Sequence, residues 1–174
     1  MKITKTSLEG CIVIEPDIHG DDRGFFLETY QYQKYKNEAG IDLNFVQDNY
    51  SRSEQNVLRG LHFQEKKPQG KLVRVVKGEV FDVAVDIRAN SKTYGQWESV
   101  ILNEENKKQF WVPPGFAHGF VVLSSVADFE YKCSDYYDPL DEGCIIWNDP
   151  QLDIKWPIDS PILSLKDSQA KKLS

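Results

Sequence analysis

Short segments in which apolar and polar residues alternate run through the middle of the chain, separated by turn residues. Val, Ile, Phe and Trp recur in these segments with a period of two, which is typical of β-strands with one buried face. Gly, Pro and Asn cluster between them, where a chain reverses direction. The pattern predicts strands over 58–64, 71–76, 79–87, 97–102, 108–112 and 118–123.

Helical periodicity is confined to two places. Residues 31–40 form one predicted helix, with Gly40 as its C-cap, and a short second helix is predicted to start near Ser164. Many short strands with so few helices predict a mainly β fold, a cupin-type jelly-roll sandwich or barrel whose mouth is a natural ligand pocket. No repeat or linker divides the sequence, so we expect residues 1–174 to form one domain.

Charge and cysteine content narrow the functional classes. The 27 acidic and 21 basic residues give a net charge of -6, which argues against nucleic acid as a partner. Cys11, Cys133 and Cys144 are widely spaced, form no CxxC motif and follow no secretory signal, so we expect a reducing cytoplasm. Since no apolar run approaches about 20 residues, we expect no membrane span.

The stretch 58-LRGLHFQ-64 contains one of only three histidines in the chain. Strict strand alternation places His62 and Gln64 on one face and Arg59 on the other. A lone strand histidine is more often a hydrogen-bonded core residue than a catalytic one. Lys71 begins the next strand and Asp82 lies on the strand after that, on a face with small apolar residues, so a hairpin would gather these polar groups at one rim.

The run 113-PPGFAHGF-120 reads P-x-G-x-x-H, the second half of the pattern by which metal-binding cupins supply a histidine. The first half, H-x-H, is replaced by His62-Phe63-Gln64, and the remaining imidazole, His19, lies in a Gly/Asp-rich turn. Because a metal centre needs several converging ligands, the sequence predicts a jelly roll without a metal. A histidine, a lysine, tyrosines and carboxylates suffice for proton transfer at neutral pH, where an unperturbed imidazole titrates at about 6.5.

Ten runs of the chain resemble, in the same order, those of the dTDP-4-dehydrorhamnose 3,5-epimerases. The resemblance extends from about Arg23 to Asp167, and ten ordered matches are far more specific than any one of them. The runs are 23-RGFF-26, 45-FVQDNYSRS-53, 57-VLRGLHFQ-64, 69-QGKLVRVVKGEVFDVAVDIR-88, 93-TYGQW-97, 113-PPGFAHGFVVLS-124, 129-FEYK-132, 147-WND-149, 156-WP-157 and 164-SLKD-167.

This resemblance implies proton chemistry without a cofactor. The family's substrate is a thymidine diphosphate-linked 4-keto-6-deoxyhexose, whose C3 and C5 hydrogens are acidified by the C4 ketone. The family pattern implies that His62 is the base, paired with Asp167, and that Tyr131 is the acid on the opposite face. Lys71 is expected near the ketone oxygen, where a cation stabilises the enolate.

Nucleotide binding is also implied by the family pattern. Two arginines, Arg23 and Arg59, suit the diphosphate, and the amides of Gln47 and Asn49 suit the edge of the pyrimidine. The expected stacking partners of the base and the further ligand contacts are Phe26, Tyr137, Glu28, Asp48, His118, Glu142 and Lys166. Since family members are homodimers in which the partner's N-terminal strands complete the nucleotide site, we expect a homodimer.

Other interpretations stay open at the level of sequence. Taken singly, each of three residues has an ordinary explanation: Tyr131 as a core or rim aromatic, Lys71 as a solvated strand end, and Asp167 as a helix N-terminal or tail carboxylate. Arg23 and Glu28 form a surface pair in such an interpretation, and Asp48 contributes only its backbone. The competing functions are an epimerase that inverts only C3 or only C5, a metal-dependent cupin enzyme, and a nucleotide-sugar binding module without catalysis.

Overall fold

The computed structural model describes residues 1–173 and is built mainly from strands. Two helices lie in this range, α1 (Tyr32–Ala39) and α2 (Leu165–Ser168), and neither is long and apolar enough to cross a membrane. The strands are β1 (Lys2–Lys5), β2 (Ile12–Glu15), β3 (Ile18–Asp21), β4 (Gly24–Leu27), β5 (Gln47–Glu54), β6 (Leu58–Gln64), β7 (Lys71–Lys77), β8 (Glu79–Asp86), β9 (Trp97–Asn103), β10 (Gln109–Val112), β11 (Phe116–Val122), β12 (Val126–Cys133) and β13 (Glu142–Cys144).

All six predicted strands are confirmed, as β6 to β11, and so are both helices. Gly40 ends α1 in the left-handed conformation, with φ of 71°, and Ser164 caps the start of α2. The remaining strands were not predicted. β5, for example, has the sequence QDNYSRSE, whose apolar content is too low to show a two-residue period. It is held by its antiparallel ladder with β12, which only the folded chain supplies.

Two antiparallel sheets face each other and enclose the core, which confirms the jelly-roll prediction. One has the order β1-β2-β10-β7-β12-β5 and the other the order β13-β6-β11-β8-β9, while β3 and β4 form a separate hairpin. Inward side chains of both sheets fill the space between them, and burying this apolar surface is the main source of stability. The buried core residues include Val73, Val75, Val80, Ala84, Leu102, Phe110, Val112, Phe116, Phe120, Val122 and Phe129.

The C-terminal segment covers the outer face of the five-stranded sheet. Leu152 packs there in a cluster with Val85 and Ile145. The end of the segment is fixed because the backbone N–H of Leu173 donates to Asp149 Oδ2 at 2.7 Å. As a result α2, which lies late in the sequence, is held beside β6.

A β-bulge in β6 corrects the predicted orientation of its polar residues. In the ladder with β11, His62 is opposite His118 and Arg59 is opposite Phe120, so two residues of β6 face the single Gly119. The extra residue shifts the alternation by one position. Arg59 and His62 therefore line the same cavity, whereas strict alternation placed them on opposite faces.

The bulge requires glycine at position 60. Its φ is 122°, a conformation that L side chains rarely adopt, and a Cβ there would lie 2.6 Å from Gly119 Cα and 2.7 Å from the His118 carbonyl oxygen. Gly24 has a similar φ of 129° with nothing within 4 Å of the equivalent Cβ. The two positions therefore share backbone strain but differ in steric room.

We expect Gly60→Ala to destabilise the protein by about 1–3 kcal/mol more than Gly24→Ala, because only the first adds overpacking to strain. Urea denaturation of both variants and the wild type measures this difference. Equal losses of unfolding free energy in the two variants would show that the contact with β11 does not constrain this position.

Candidate active site

A cavity of about 340 Å³ lies between the two sheets, and polar side chains from both sheets line it. The stacked rings of Phe120 and Phe129, with centroids 4.2 Å apart, separate it from the core. The lining from the six-stranded sheet is Gln47, Asn49, Ser51, Lys71, Phe129 and Tyr131; that from the five-stranded sheet is Arg59, His62, His118, Gly119, Phe120 and Glu142; Gln69 and Tyr137 come from loops.

His62 is hydrogen-bonded to a buried carboxylate. Its Nε2 lies 2.6 Å from Asp167 Oδ1, and Asp167 is only 3% exposed. Burial acts to raise the pKa of Asp167, but hydrogen bonds from His62 and Ser164 outweigh it and lower the pKa. Because an ionised carboxylate only accepts, the proton of the neutral imidazole lies on Nε2, and the lone pair is on Nδ1, 3.8 Å from Glu142 Oε1.

A second imidazole is held in the same way. Nε2 of His118 lies 2.9 and 3.0 Å from the two carboxylate oxygens of Asp82, and both residues are buried. Asp82 shares a face of β8 with Val80 and Ala84, as predicted, and the structure shows that this face points inward. Burial raises the pKa of Asp82, while the charges of His118 and Lys71 oppose the shift. Each cavity histidine thus has a carboxylate partner.

Lys71 and Tyr131 enter the cavity from the opposite sheet. Burial lowers the pKa of Lys71, against the attraction of Cys133, Glu142 and Asp82. The pKa of Tyr131 is raised to about 12, chiefly by burial, so its phenol keeps its proton at neutral pH. Since His62 projects from the five-stranded sheet, an imidazole and a phenol face the cavity from two sides.

A hydrogen-bonded rim surrounds the cavity. The Tyr137 hydroxyl donates to Glu142 Oε2 at 2.7 Å, and Lys166 forms an ion pair with the same carboxylate. The Gln47 side chain accepts from the backbone N–H of Tyr137 and donates to Asn49 Oδ1. Donor and acceptor groups are therefore fixed before any ligand enters.

Five of the expected ligand contacts do not line the cavity. Lys166 lines a neighbouring groove and reaches the rim only through its ion pair with Glu142. Because neighbouring side chains of β5 point to opposite faces of the sheet, Asp48 lies outside the cavity. Its carboxylate forms an ion pair with Lys132 at 3.0 Å. The other three are on or next to the β3–β4 hairpin. Arg23 pairs with Asp21 there, Phe26 is 69% exposed, and Glu28 lies near Lys34. Their contacts with a ligand stay predictions.

Comparison with known proteins assigns the chain to a family. Residues 5–174 match the family model described as dTDP-4-dehydrorhamnose 3,5-epimerase. The chain belongs to this family. It is 55% identical to the Pseudomonas aeruginosa dTDP-4-dehydrorhamnose 3,5-epimerase over 98% of this chain and 95% of that protein.

Solved structures of family members superpose closely on this chain. A Legionella pneumophila dTDP-6-deoxy-D-glucose-3,5-epimerase in complex with dTDP-4-keto-L-rhamnose is 57% identical, with a TM-score of 0.96 over 99% of this chain and 92% of its own. A 3'-monoepimerase from Streptomyces bikiniensis in complex with dTDP-quinovose is 35% identical, with a TM-score of 0.91 over 97% and 86%. The same family fold therefore occurs in enzymes named for double and for single epimerisation.

Two residues beside the site received no role from the sequence. Asp82 was placed on a face with small apolar residues, but its partner His118 became apparent only from the ladder between β8 and β11. Cys144 lies on the three-residue strand β13, with Sγ 3.7 Å from Asp167 Oδ1. Among residues 1–173, His62, Cys144 and Asp167 form the one group with three side chains arranged to hold a metal ion.

We expect wild type to be more stable than Asp167→Asn at pH 7, by about 1 kcal/mol or more, because the substitution removes a charged hydrogen-bond acceptor. The pKa of Asp167 is lowered on folding from an ordinary value of about 3.9, so the unfolded chain binds the proton more readily. The stability advantage of wild type over Asp167→Asn is therefore complete above about pH 4 and is lost as the pH falls further.

Urea denaturation between pH 7 and pH 3 measures this difference. Asp22→Asn, at an exposed carboxylate, is the matched control and should follow wild type at every pH. A constant difference between wild type and Asp167→Asn across this range would contradict an ionised Asp167.

Proposed function

We propose that the protein converts dTDP-4-dehydro-6-deoxy-D-glucose to dTDP-4-dehydro-L-rhamnose, in dTDP-rhamnose biosynthesis, by inverting C3 and C5 without a metal or other cofactor. The observation that carries the proposal is that His62, with its carboxylate partner, and Tyr131 project into one cavity from opposite sheets. Inverting a carbon next to a ketone requires a base and an acid on opposite sides of the sugar, because the proton leaves one face and returns to the other.

His62 acts as the base in this proposal. Asp167 holds the proton of the neutral ring on Nε2, so Nδ1 takes the proton from the sugar carbon. The carboxylate also stabilises the imidazolium that forms. The electron pair of the broken C–H bond moves into the C4 ketone, which becomes an enolate.

Lys71 stabilises the enolate oxygen. Its ammonium group is desolvated, and a charge acts more strongly where water is excluded. His118, held by Asp82, contacts the sugar beside it. Neither residue needs to move during the reaction, so the stabilisation is in place before charge develops.

Tyr131 returns a proton to the opposite face. With its pKa raised to about 12, the phenol is protonated in the resting enzyme, and the enolate electron pair forms the new C–H bond as the ketone is restored. Exchange with water then resets His62 and Tyr131. The same groups serve C3 and C5 in turn.

The nucleotide occupies the polar rim. Arg59 is held by Ser53, with Nε donating to Oγ at 2.9 Å, and is exposed to a diphosphate. Gln47 and Asn49 present amides to the base, and Tyr137 stacks on it. Glu142 and Lys166 contact the ligand at the other side.

A second copy of the chain completes the site. The β3–β4 hairpin exposes Ile18, Phe25 and Phe26 at 47%, 60% and 69%, an apolar surface beside a charged Arg23. In a homodimer this hairpin reaches the partner's cavity and supplies the Arg23, Phe26 and Glu28 contacts. We further infer that residues 1–174 act as one domain in the cytoplasm, which fits three free cysteines.

A single-carbon epimerase is the second candidate. The similarity to a 3'-monoepimerase favours it, since both reactions need the same base, acid and enolate stabilisation. The positions of the sugar ring and Tyr131 decide between them, and a small displacement suffices. Both kinds of epimerase differ from a nucleotide-sugar binding module, which does not require His62, Lys71 and Tyr131 together.

We expect metal-stripped wild-type protein in deuterated water and excess chelator to label both C3 and C5 of the keto sugar, with an L-rhamnose product after coupling to the downstream reductase. His62→Ala should slow labelling at both carbons by about 100-fold or more. Tyr131→Phe should retain proton removal but lose inversion. NMR follows the label at each carbon.

Tyr136→Phe is the matched control, at an exposed tyrosine outside the cavity, and should label like wild type. Label at one carbon would replace the proposal by the single-carbon epimerase. Nucleotide binding without any label would indicate a binding module, and activity lost to chelator and restored by metal would indicate a metal enzyme.

Mixing inactive variants tests the shared site. If Arg23 serves the partner's cavity, a dimer of Arg23→Glu with His62→Ala contains one intact site. Random pairing makes half of the dimers mixed, so co-refolding equal amounts should restore about 25% of wild-type activity. Each variant alone should have little activity.

The matched control mixes His62→Ala with Tyr131→Phe, which both damage the same cavity. No mixed dimer in that sample contains an intact site, so activity should not recover. The mixture of Arg23→Glu and His62→Ala could regain no activity although its subunits are shown to exchange. That result would place the hairpin contacts outside the partner's site.

A further inference from the structure

Three potential metal ligands from different elements converge beside the cavity. A nitrogen of His62 on β6, the sulfur of Cys144 on β13 and a carboxylate oxygen of Asp167 on α2 lie within 4.8 Å of one another. Imidazole, thiol and carboxylate are ligands that Zn²⁺ takes in proteins. The proposed reaction uses two of these groups and leaves Cys144 without a role.

We propose that His62, Cys144 and Asp167 form an inhibitory site for Zn²⁺ or a similar thiophilic divalent cation. The inference rests on the proposed role of His62 as the base. The cation would inhibit the reaction by binding to the base, without occupying the sugar site.

The two distances from the Asp167 carboxylate to its neighbours are close to those around a tetrahedral ion. With bonds of about 2.3 Å to sulfur and 2.0–2.1 Å to nitrogen and oxygen, sulfur and oxygen ligands lie about 3.6 Å apart, and nitrogen and oxygen about 3.3 Å. Cys144 Sγ is 3.7 Å from Asp167 Oδ1. His62 Nε2, at 2.6 Å from that oxygen, must retreat by about 0.7 Å, as expected when an ion replaces the shared proton.

A metal ion can reach this group from two sides. His62 lines the cavity, while Cys144 lines a groove of about 750 Å³ on the other side of β13. Glu142 borders both and lies 3.8 Å from His62 Nδ1. This distance is too long for a hydrogen bond, but a closer approach of Glu142 would let it accept from Nδ1 and orient the ligating ring.

Binding would stop the proposed chemistry at the base. Zn²⁺ takes the place of the Nε2 proton, the neutral ring then carries its proton on Nδ1, and the lone pair that accepts the sugar proton is gone. The thiol of Cys144 releases its own proton to solvent. Asp167 becomes a ligand and no longer stabilises an imidazolium.

The ligand set also explains why such an ion would inhibit the reaction. A catalytic metal in a sugar epimerase would have to leave the base free and contact the ketone oxygen. Here the ion would occupy the base and its carboxylate partner, while Lys71 approaches from the opposite sheet. Metal binding and proton abstraction are therefore mutually exclusive at His62.

The test titrates ZnCl₂ into metal-stripped protein and measures the rate relative to each protein's own metal-free rate. We expect wild type to be inhibited, with full recovery on addition of chelator. Loss of an outer-shell partner typically weakens metal binding about 10–100-fold, so loss of the Cys144 ligand in Cys144→Ser should raise the inhibitory zinc concentration by at least about tenfold. Cys11→Ser, at a buried thiol outside the cavity, is the control and should be inhibited like wild type.

Cobalt binding gives a readout that does not depend on activity. Co²⁺ bound by a thiolate has a sulfur-to-metal charge-transfer absorption, which we expect in wild type and Cys11→Ser but not in Cys144→Ser. Equal zinc inhibition of Cys144→Ser and wild type, absence of the absorption band in wild type, or activation by zinc would each overturn the proposal. If the protein proves catalytically inactive, the absorption band still decides whether the metal site exists.

Discussion

The hydrogen bond between His62 and Asp167 joins residues 105 positions apart, and the arrangement of the site depends on it. Asp167 reaches β6 only because the C-terminal segment folds back over the five-stranded sheet and is fixed at Asp149. Ser164 then caps the short helix that carries the carboxylate. The geometry of this pair is therefore a product of the tertiary fold, and weakening the C-terminal packing would disturb the His62–Asp167 hydrogen bond before it disturbed the sheets.

The structure also relates this site to metal-binding cupins. His62 and His118 are directly opposite each other on neighbouring strands, an arrangement that could supply two metal ligands. Each imidazole instead uses Nε2 for a buried carboxylate, Asp167 or Asp82. The same framework that holds a cation in metal-binding cupins therefore holds two imidazole–carboxylate hydrogen bonds in this chain.

Apolar segments bounded by turn residues were enough to predict the central strands, because these strands are largely buried; β10 and β11 are buried along their whole length. The orientation of Arg59 could not be predicted in this way, since it depends on a bulge that forms only against Gly119. Asp82 was placed on the correct face, but its partner lies on another strand. The pairing of His62 with Asp167 came from family resemblance, because no local pattern links two residues so distant in sequence.

The bulge in β6 has an evolutionary consequence. Because two residues of β6 share one position on β11, the number of residues in this strand decides which side chains enter the cavity. Loss of one residue there would restore regular alternation and rotate Arg59 away from the cavity, with His62 unchanged. A one-codon deletion can thus alter ligand preference without any substitution in the cavity, so chain length at this strand is itself a determinant of specificity.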